Sequence, residues 1–431
     1  MDIKNFFLQK KNIYLFFGLI IFKLILDYTY VFFVYEIYAY NNFSFDYNIK
    51  KYLYSWLWFL FMFFILPKKG TKSSSIILLL HFMIMILPML TLYAMSDYST
   101  SYFNMICLCF SLECILLYTL PTIKIFKLKQ AKSIFYFLVS AITFFVYISM
   151  LRANGIPNLS ALNILNVYDI RLDVKYPFLM NYLVNWQAKA INPLMIAVSY
   201  KKKNNKTMIL FILLQLIIYL ITAHKSFLFI PIAILFVIYM FKHKNIMNII
   251  SYVGSIGCAS VYIIYKMGLS LMPASLFIRR LLFVPAQLKN FYHDFISKNE
   301  FLYFSEGIIG KIFNTEYPYD IRFVNLIGER YYNNPATAAN TGYLGSGYAN
   351  MGFAGMIIYV VLFSFILIII DSLGKSLDKS MVTGIVLFSM LSLNDGDLLT
   401  TLLTGGLLFL LVLLYLYAEF GNEEKSIQKV P

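Results

Sequence analysis

Six arginines carry the strongest chemical signal in this chain: Arg152, Arg171, Arg279, Arg280, Arg322 and Arg330. A guanidinium is planar and permanently charged, and its fork of N–H donors grips two phosphate or carboxylate oxygens at once. A lysine ammonium is a point charge. Every other cation among the 36 Lys and Arg residues is lysine, so the chain uses arginine selectively. That selectivity points to a site for a phosphorylated or otherwise anionic substrate. The alternative is that these arginines anchor loops to lipid headgroups or pair with acids such as Asp169, Asp173, Asp320 and Glu329. Arg279 and Arg280 are adjacent, about 100° apart on a helix, so at most one is expected to face a site fully.

Other polar residues interrupt apolar surroundings. Lys225 follows His224 in a short turn between two apolar runs, where it either snorkels to the interface or adds a second cation to the same site. Lys189 lies inside an apolar run with Asn185 and Gln187. A charge there costs roughly 2.5 kcal/mol or more and is usually paired or functional. Lys23 and Asp27, one helical turn apart, are expected to neutralise each other. Asn340 and Thr341 open a glycine-rich stretch that runs to Gly355. There Gly352 and Gly355 read as helix-packing positions, and the Asn340 turn reads as a tight polar wall. Asp395, Gly396 and Asp397 can hold a divalent cation or form an ordinary turn. No nucleotide loop, metalloprotease helix or nucleophile elbow occurs.

The elements that must position these groups are membrane helices. The chain is 60% hydrophobic, 18% aromatic and 13% charged, far from a soluble average. Its apolar runs approach the roughly 20 residues that cross a bilayer. Hydropathy predicts twelve spans near 12–34, 52–66, 75–95, 101–120, 133–151, 179–200, 207–222, 226–241, 246–265, 346–370, 380–394 and 399–418, in one polytopic all-α domain over 1–431. Twenty of the 36 cations, all lysine, fall on the even-numbered loops and the two ends, which makes that side cytoplasmic by the positive-inside rule. All six arginines then fall on the outer side. The +15 formal charge is therefore topological and not a nucleic-acid face. The four cysteines lie within predicted spans, so neither an outer disulfide framework nor a Cys-type zinc site is on offer. The first span reads as a retained helix. Two outer loops are large, about 152–178 and 266–344. In the second, Leu288, Phe291, Tyr292 and Phe295 recur at helical spacing opposite Lys289, Asn290, His293 and Asp294. That pattern predicts an amphipathic helix on the membrane surface or roofing a cavity.

Three short patterns carry a family resemblance. One is Arg279-Arg280 through Pro285, followed by Tyr292, His293, Asp294 and Phe295. The second runs from Asn340, Thr341 and Gly342 to Gly352 and Gly355. The third is His224-Lys225-Ser226, where relatives often have Gly-Lys or Gly-Arg before Ser. With the two large outer loops, these make the chain resemble the oligosaccharide repeat-unit polymerases, the Wzy-type O-antigen polymerases. The resemblance covers most of the chain in topology. It departs in the spacing of Arg330 to Gly342, which has eleven residues between them where some members have ten. Neither Arg152 nor Arg171 has the matching Gly. The related O-antigen ligases carry a functional His where Asn340 falls.

The resemblance implies a GT-C-like inverting glycosyltransferase of the bacterial plasma membrane. Its substrate would be an undecaprenyl-diphosphate-linked oligosaccharide, with no cofactor and no metal ligand among the expected site residues. Membrane lipid and a chain-length regulator are the expected partners, with no nucleic acid. Departure of a lipid diphosphate builds negative charge on phosphate oxygens, which fixed cations stabilise. Arg279, Arg280, Arg330, His293 and Asp294 are the expected catalytic residues. Lys225, Arg152, Arg171, Arg322, Lys189, Asn340, Thr341 and Tyr292 are the expected substrate-binding ones. One carboxylate or imidazole near the acceptor hydroxyl suffices as base, and His293, Asp294, Glu306 and Glu329 are all candidates. An O-antigen ligase is the rival enzyme. A flippase or other transporter of lipid-linked sugars is the rival of another class, although no internal repeat of the kind such transporters often show is visible.

Overall fold

The computed structural model describes residues 10–70, 72–124, 128–163, 167–243 and 245–427, and the side chains of 167–169, 308 and 421–427 lie outside that description. Lys4, Lys127, Lys244 and Lys429 of the topology count, and the side chains of Asp169 and Lys425, therefore fall outside it too. Among the described residues the chain is 78% helical with no strand. Seven helices are long and apolar enough to cross a membrane. Each of the twelve apolar segments is helical over most of its length.

The long elements are α1 (Lys10–Thr29), α2 (Ile49–Ile65), α3 (Ser73–Met95), α4 (Thr100–Thr119) and α5 (Ala131–Asn154). A sixth helical run, α6, spans 180–201 and contains a π turn at Gln187–Ile191. Next come α7 (Asn205–Thr222), α8 (Lys225–Met240), α9 (Ile246–Lys266), α10 (Val284–Ile296), α11 (Phe323–Tyr332), α12 (Tyr343–Ser376), α13 (Lys379–Leu391), α14 (Leu398–Leu402) and α15 (Leu407–Ile427). Side chains start several of them. Asn48 accepts from the amides of Lys50 and Lys51, and Asp378 from that of Met381, satisfying donors that have no partner inside the helix.

Hydrogen bonds join the loops in two separate sets, which define two ends of the bundle. At one end Asp46 N donates to Met95 O (2.8 Å), Gln287 to Asn41 O (3.0 Å), Lys175 N to Asn154 Oδ1 (2.8 Å), and Asn42 to Tyr331 O. At the other, Ile123 N donates to Ser372 Oγ (3.0 Å), Ser74 N to Asp371 Oδ1 (3.0 Å), and Lys201 pairs with Asp378 (3.0 Å). All six arginines belong to the first end.

Two features differ from the sequence pattern. Gly352 adopts φ +59° with ψ −142° and breaks α12, a conformation that glycine accepts without a steric penalty. In a straight helix residues 347 and 355 would be about 12 Å apart, yet a Cβ on Gly355 would sit 2.0 Å from Gly347 O. These glycines therefore build an elbow within one element, not a seam between two helices. The carbonyls freed at the elbow accept from the loop before α11: Leu302 N binds Ala349 O (2.9 Å) and Tyr303 N binds Asn350 O (3.0 Å). The second difference is α10. Its supposed polar face is interior, with Gln287 and Lys289 at 0% exposure and Asn290 at 4%, while Leu288, Phe291 and Tyr292 are buried as well. It is wedged against α12 and α3, not laid on a membrane surface. Only Asp294 on that face is exposed, with His293 half-buried.

Candidate functional site

The turn between α13 and α14 gives its two carboxylates opposite fates. Asp397 caps α14: its Oδ2 accepts from Thr400 N (2.9 Å) and its Oδ1 from the Tyr359 hydroxyl (2.8 Å). Both oxygens are engaged, so the two acids do not form a paired cation site. Among the described residues no group of three or more His, Cys, Asp or Glu comes together. Asp395, two residues earlier, is solvent-accessible. Among the described residues its carboxylate makes no ion pair and takes no hydrogen bond from another residue, only one from its own backbone amide. Three cations from three elements nevertheless act on it electrostatically: Arg280, Lys289 and Lys189. Solvent reaches the carboxylate, but protein surrounds it deeply enough that burial raises its pKa above the ordinary value, against the pull of those cations.

Each cation has its own support. Arg280 lies on the π-helical stretch Ser275–Phe283 that leads into α10, and it is exposed. Its neighbour Arg279 turns elsewhere, stacking its guanidinium 4.4 Å over the Tyr38 ring with Nε 3.4 Å from Ser275 Oγ. Lys189 is half-buried on the π turn of α6. A buried amide ladder holds that turn: Gln187 Nε2 donates to Asn192 Oδ1 (2.7 Å), Asn192 Nδ2 to Gln215 Oε1 (2.8 Å), and Gln215 Nε2 to Ala188 O (3.1 Å). Lys189 also acts on His224, as does Arg171, which donates to Ala223 O at 3.1 Å. Burial first, then these two cations, pushes the His224 imidazole down to about 4. Lys225, the next residue, is half-buried at the start of α8. The cationic surface thus runs from Arg280 through Lys189 to the 223–225 turn.

Lys289 is different because its ammonium is enclosed. It donates to Pro285 O (3.3 Å) and Asn394 O (3.1 Å), and burial pushes its pKa down to about 7 despite Asp395. It fixes the 392–397 turn and contributes field, but no contact surface. Asn394 is 2% exposed, its Nδ2 donates to Leu281 O (2.9 Å), and its Oδ1 is buried without a partner. The Asn340-Thr341-Gly342 turn packs directly on this backbone. A Cβ on Gly342 would meet Asn394 O at 2.4 Å and Leu393 O at 2.5 Å. Thr341 is 2% exposed and its hydroxyl also lacks a partner, while Asn340 is exposed. Tyr292 donates its hydroxyl to Ala339 O (3.0 Å) and so holds this turn in place.

The remaining expected site residues lie apart from this cluster. Arg322 pairs with Glu306 at 3.3 Å. Arg330 is exposed on the last turn of α11, and Arg152 on that of α5. Asp294 binds Lys298 and the Tyr331 hydroxyl, each at 2.6 Å; those bonds outweigh burial and hold its carboxyl below the ordinary range. His293 is stacked on Tyr102, with ring centroids 4.4 Å apart, and burial draws its pKa down. A separate open cleft of about 550 Å³, lined by Ser297, Lys298, Glu300 and Tyr319 among others, lies on the long loop and includes neither Arg280 nor Lys189 in its lining.

Sequence reasoning weighed Asp395 only as half of a carboxylate pair and placed Lys289 on the polar face of an amphipathic helix. The signal available for Lys289 was its place directly after Leu288 and before Phe291 and Tyr292, inside a run of stripe residues. Searches of protein-family models, curated proteins and solved structures find no match to the chain.

Proposed function

We propose that the chain is a twelve-span, GT-C-like glycosyltransferase of the bacterial plasma membrane with both termini cytoplasmic. It polymerises undecaprenyl-diphosphate-linked oligosaccharide repeat units into O-antigen or a related surface polysaccharide. The arginine end faces outward, and a chain-length regulator is its protein partner. The observation that carries this reading is the convergence of Arg280 and Lys189, neither closed into an ion pair among the described residues, beside the Asn340–Gly342 turn and the open Asp395 carboxylate.

Chemically, the growing chain is the donor, attached through its anomeric carbon to the lipid diphosphate. A hydroxyl at the non-reducing end of a second lipid-linked unit attacks that carbon, and the diphosphate leaves from the opposite face. Negative charge grows on phosphate oxygens, where Arg280 and Lys189 already stand, with Lys289 adding field from beneath. Such preorganised charge lowers the barrier because nothing must reorient as the bond breaks. Arg171 and Lys225 extend the same surface along the 223–225 turn and suit the second diphosphate.

The test is complementation of a strain lacking the gene, scoring polymer length. Arg280→Lys and Lys189→Met should leave mostly single repeat units attached to the lipid core, the pattern expected when polymerisation fails. Complete absence of attached units would indicate a ligase instead. Normal long chains from both variants would refute the cationic clamp.

A further inference from the structure

We propose that Asp395 is the catalytic base, taking the proton from the acceptor hydroxyl in the glycosyl transfer described above, on which this inference rests. The argument begins with availability. Of the acids and imidazoles weighed as a base, Asp294, Glu306 and His293, and the neighbouring Asp397, are each held by the contacts given above. Glu329 is exposed on α11, with nothing placing it among the cations. Asp395 is accessible, takes no hydrogen bond from another residue and forms no ion pair among the described residues, and is the acid on which Arg280, Lys289 and Lys189 act.

Its setting is built, not incidental. Lys289 is 0% exposed and bonds Asn394 O, the residue before Asp395. The Asn394 side chain is tied to Leu281 O, next to Arg280. One network therefore sets the carboxylate and the guanidinium relative to each other. Beside them stand two buried oxygens without partners, Thr341 Oγ1 and Asn394 Oδ1.

In the step, the acceptor O–H bond breaks and its proton passes to Asp395 while that oxygen bonds the anomeric carbon. The bond from that carbon to the phosphate oxygen breaks, and its electron pair stays on the diphosphate. The anomeric configuration inverts. The protonated Asp395 returns its proton to the water that reaches it. Burial, which raises its pKa against Arg280, Lys289 and Lys189, keeps it basic enough for the task.

The experiment uses the purified full-length protein in nanodiscs, with lipid-linked repeat units extracted from the deletion strain. Wild type should form chains. Asp395→Asn should lose about a hundred- to ten-thousand-fold in kcat with little change in KM. Added azide, a nucleophile that needs no deprotonation, should restore lipid diphosphate release by giving an inverted glycosyl azide. If Asp395 is only a counter-ion, Asp395→Asn will keep its kcat and lower the KM for the lipid-linked substrate, which overturns the proposal. The wild-type pH profile gives an answer even if the variant does not fold. With Arg280, Lys289 and Lys189 acting on the group, kcat should fall on acidification through a pKa above the ordinary carboxylate value. A kcat that stays flat across that range would also overturn it. Wild type that makes no chains at all would instead sink the polymerase reading itself.

Discussion

Two cation–carboxylate groupings in this molecule use the same residue types to opposite ends. Between Lys23 and Asp27 everything is closed. The ammonium is 0% exposed, contacts both carboxylate oxygens at 2.9 Å, and lies 5.0 Å from the Trp56 ring centroid. Thr91 donates to the same carboxylate at 2.6 Å. Around Asp395 three cations surround one acid, and no ion pair forms among the described residues. A closed pair in a low-dielectric interior is balanced, and removing one member leaves a charge without compensation. An open cluster keeps unused charge, which a ligand can meet. The first grouping supports the fold, and the second leaves charge open to a ligand.

The largest expected effect tests the closed side. Asp27→Ala should destabilise by about 3–5 kcal/mol, because Lys23 is left buried and unpaired. Replacing both with Leu should recover most of that loss, as thermal unfolding in detergent can show. If the single and double variants unfold alike, the pair is not balanced as described. Next comes the open side: Arg280→Ala should reduce turnover on the order of a hundredfold while leaving the unfolding temperature near that of wild type. A large drop in stability without loss of turnover would reverse the contrast drawn here.

Gly342→Ala should cost about 1–3 kcal/mol, since the new methyl group meets two backbone carbonyls, and it should reduce activity by pushing the 392–397 turn. Lys289 adds a pH signature. Its folded pKa, pushed down to about 7, lies below the ordinary lysine value of about 10.4, so between those values the unfolded chain binds more protons than the folded one. Stability from this group therefore rises with pH from about 7 upward and is least below it. The difference in unfolding temperature between wild type and Lys289→Met should shift accordingly between pH 7 and 9. The smallest effect belongs to the lysine end. Breaking the partly exposed Lys201–Asp378 pair should change stability by less than about 1 kcal/mol.

Much of this was legible in the residues. Apolar run lengths located the helical segments, because backbone polar groups in hydrocarbon must be satisfied within a helix. The four-residue spacing of Lys23 and Asp27 predicted their pairing for the same geometric reason. Among the candidate site residues, Lys189 and Arg280 share the cluster, whereas Arg322, Arg330, His293 and Asp294 are engaged or placed elsewhere. Helical periodicity misread α10, since a pattern of alternating faces does not say what covers the polar one. Gly352 and Gly355 were read as packing positions because small residues serve both seams and elbows.

Sequence alone fixed which segments are apolar, where the charges change sign and kind, and that arginine is confined to one end. These are properties of local composition and spacing. Only the tertiary structure decided that residues 189, 280, 289 and 395, drawn from four separate elements, share one space. It also decided that Asp395 stays open while Asp397 is closed. Both carboxylates occupy the same turn, and the difference comes from what distant segments bring against them: a tyrosine hydroxyl for one, the field of Arg280, Lys189 and the enclosed Lys289 for the other.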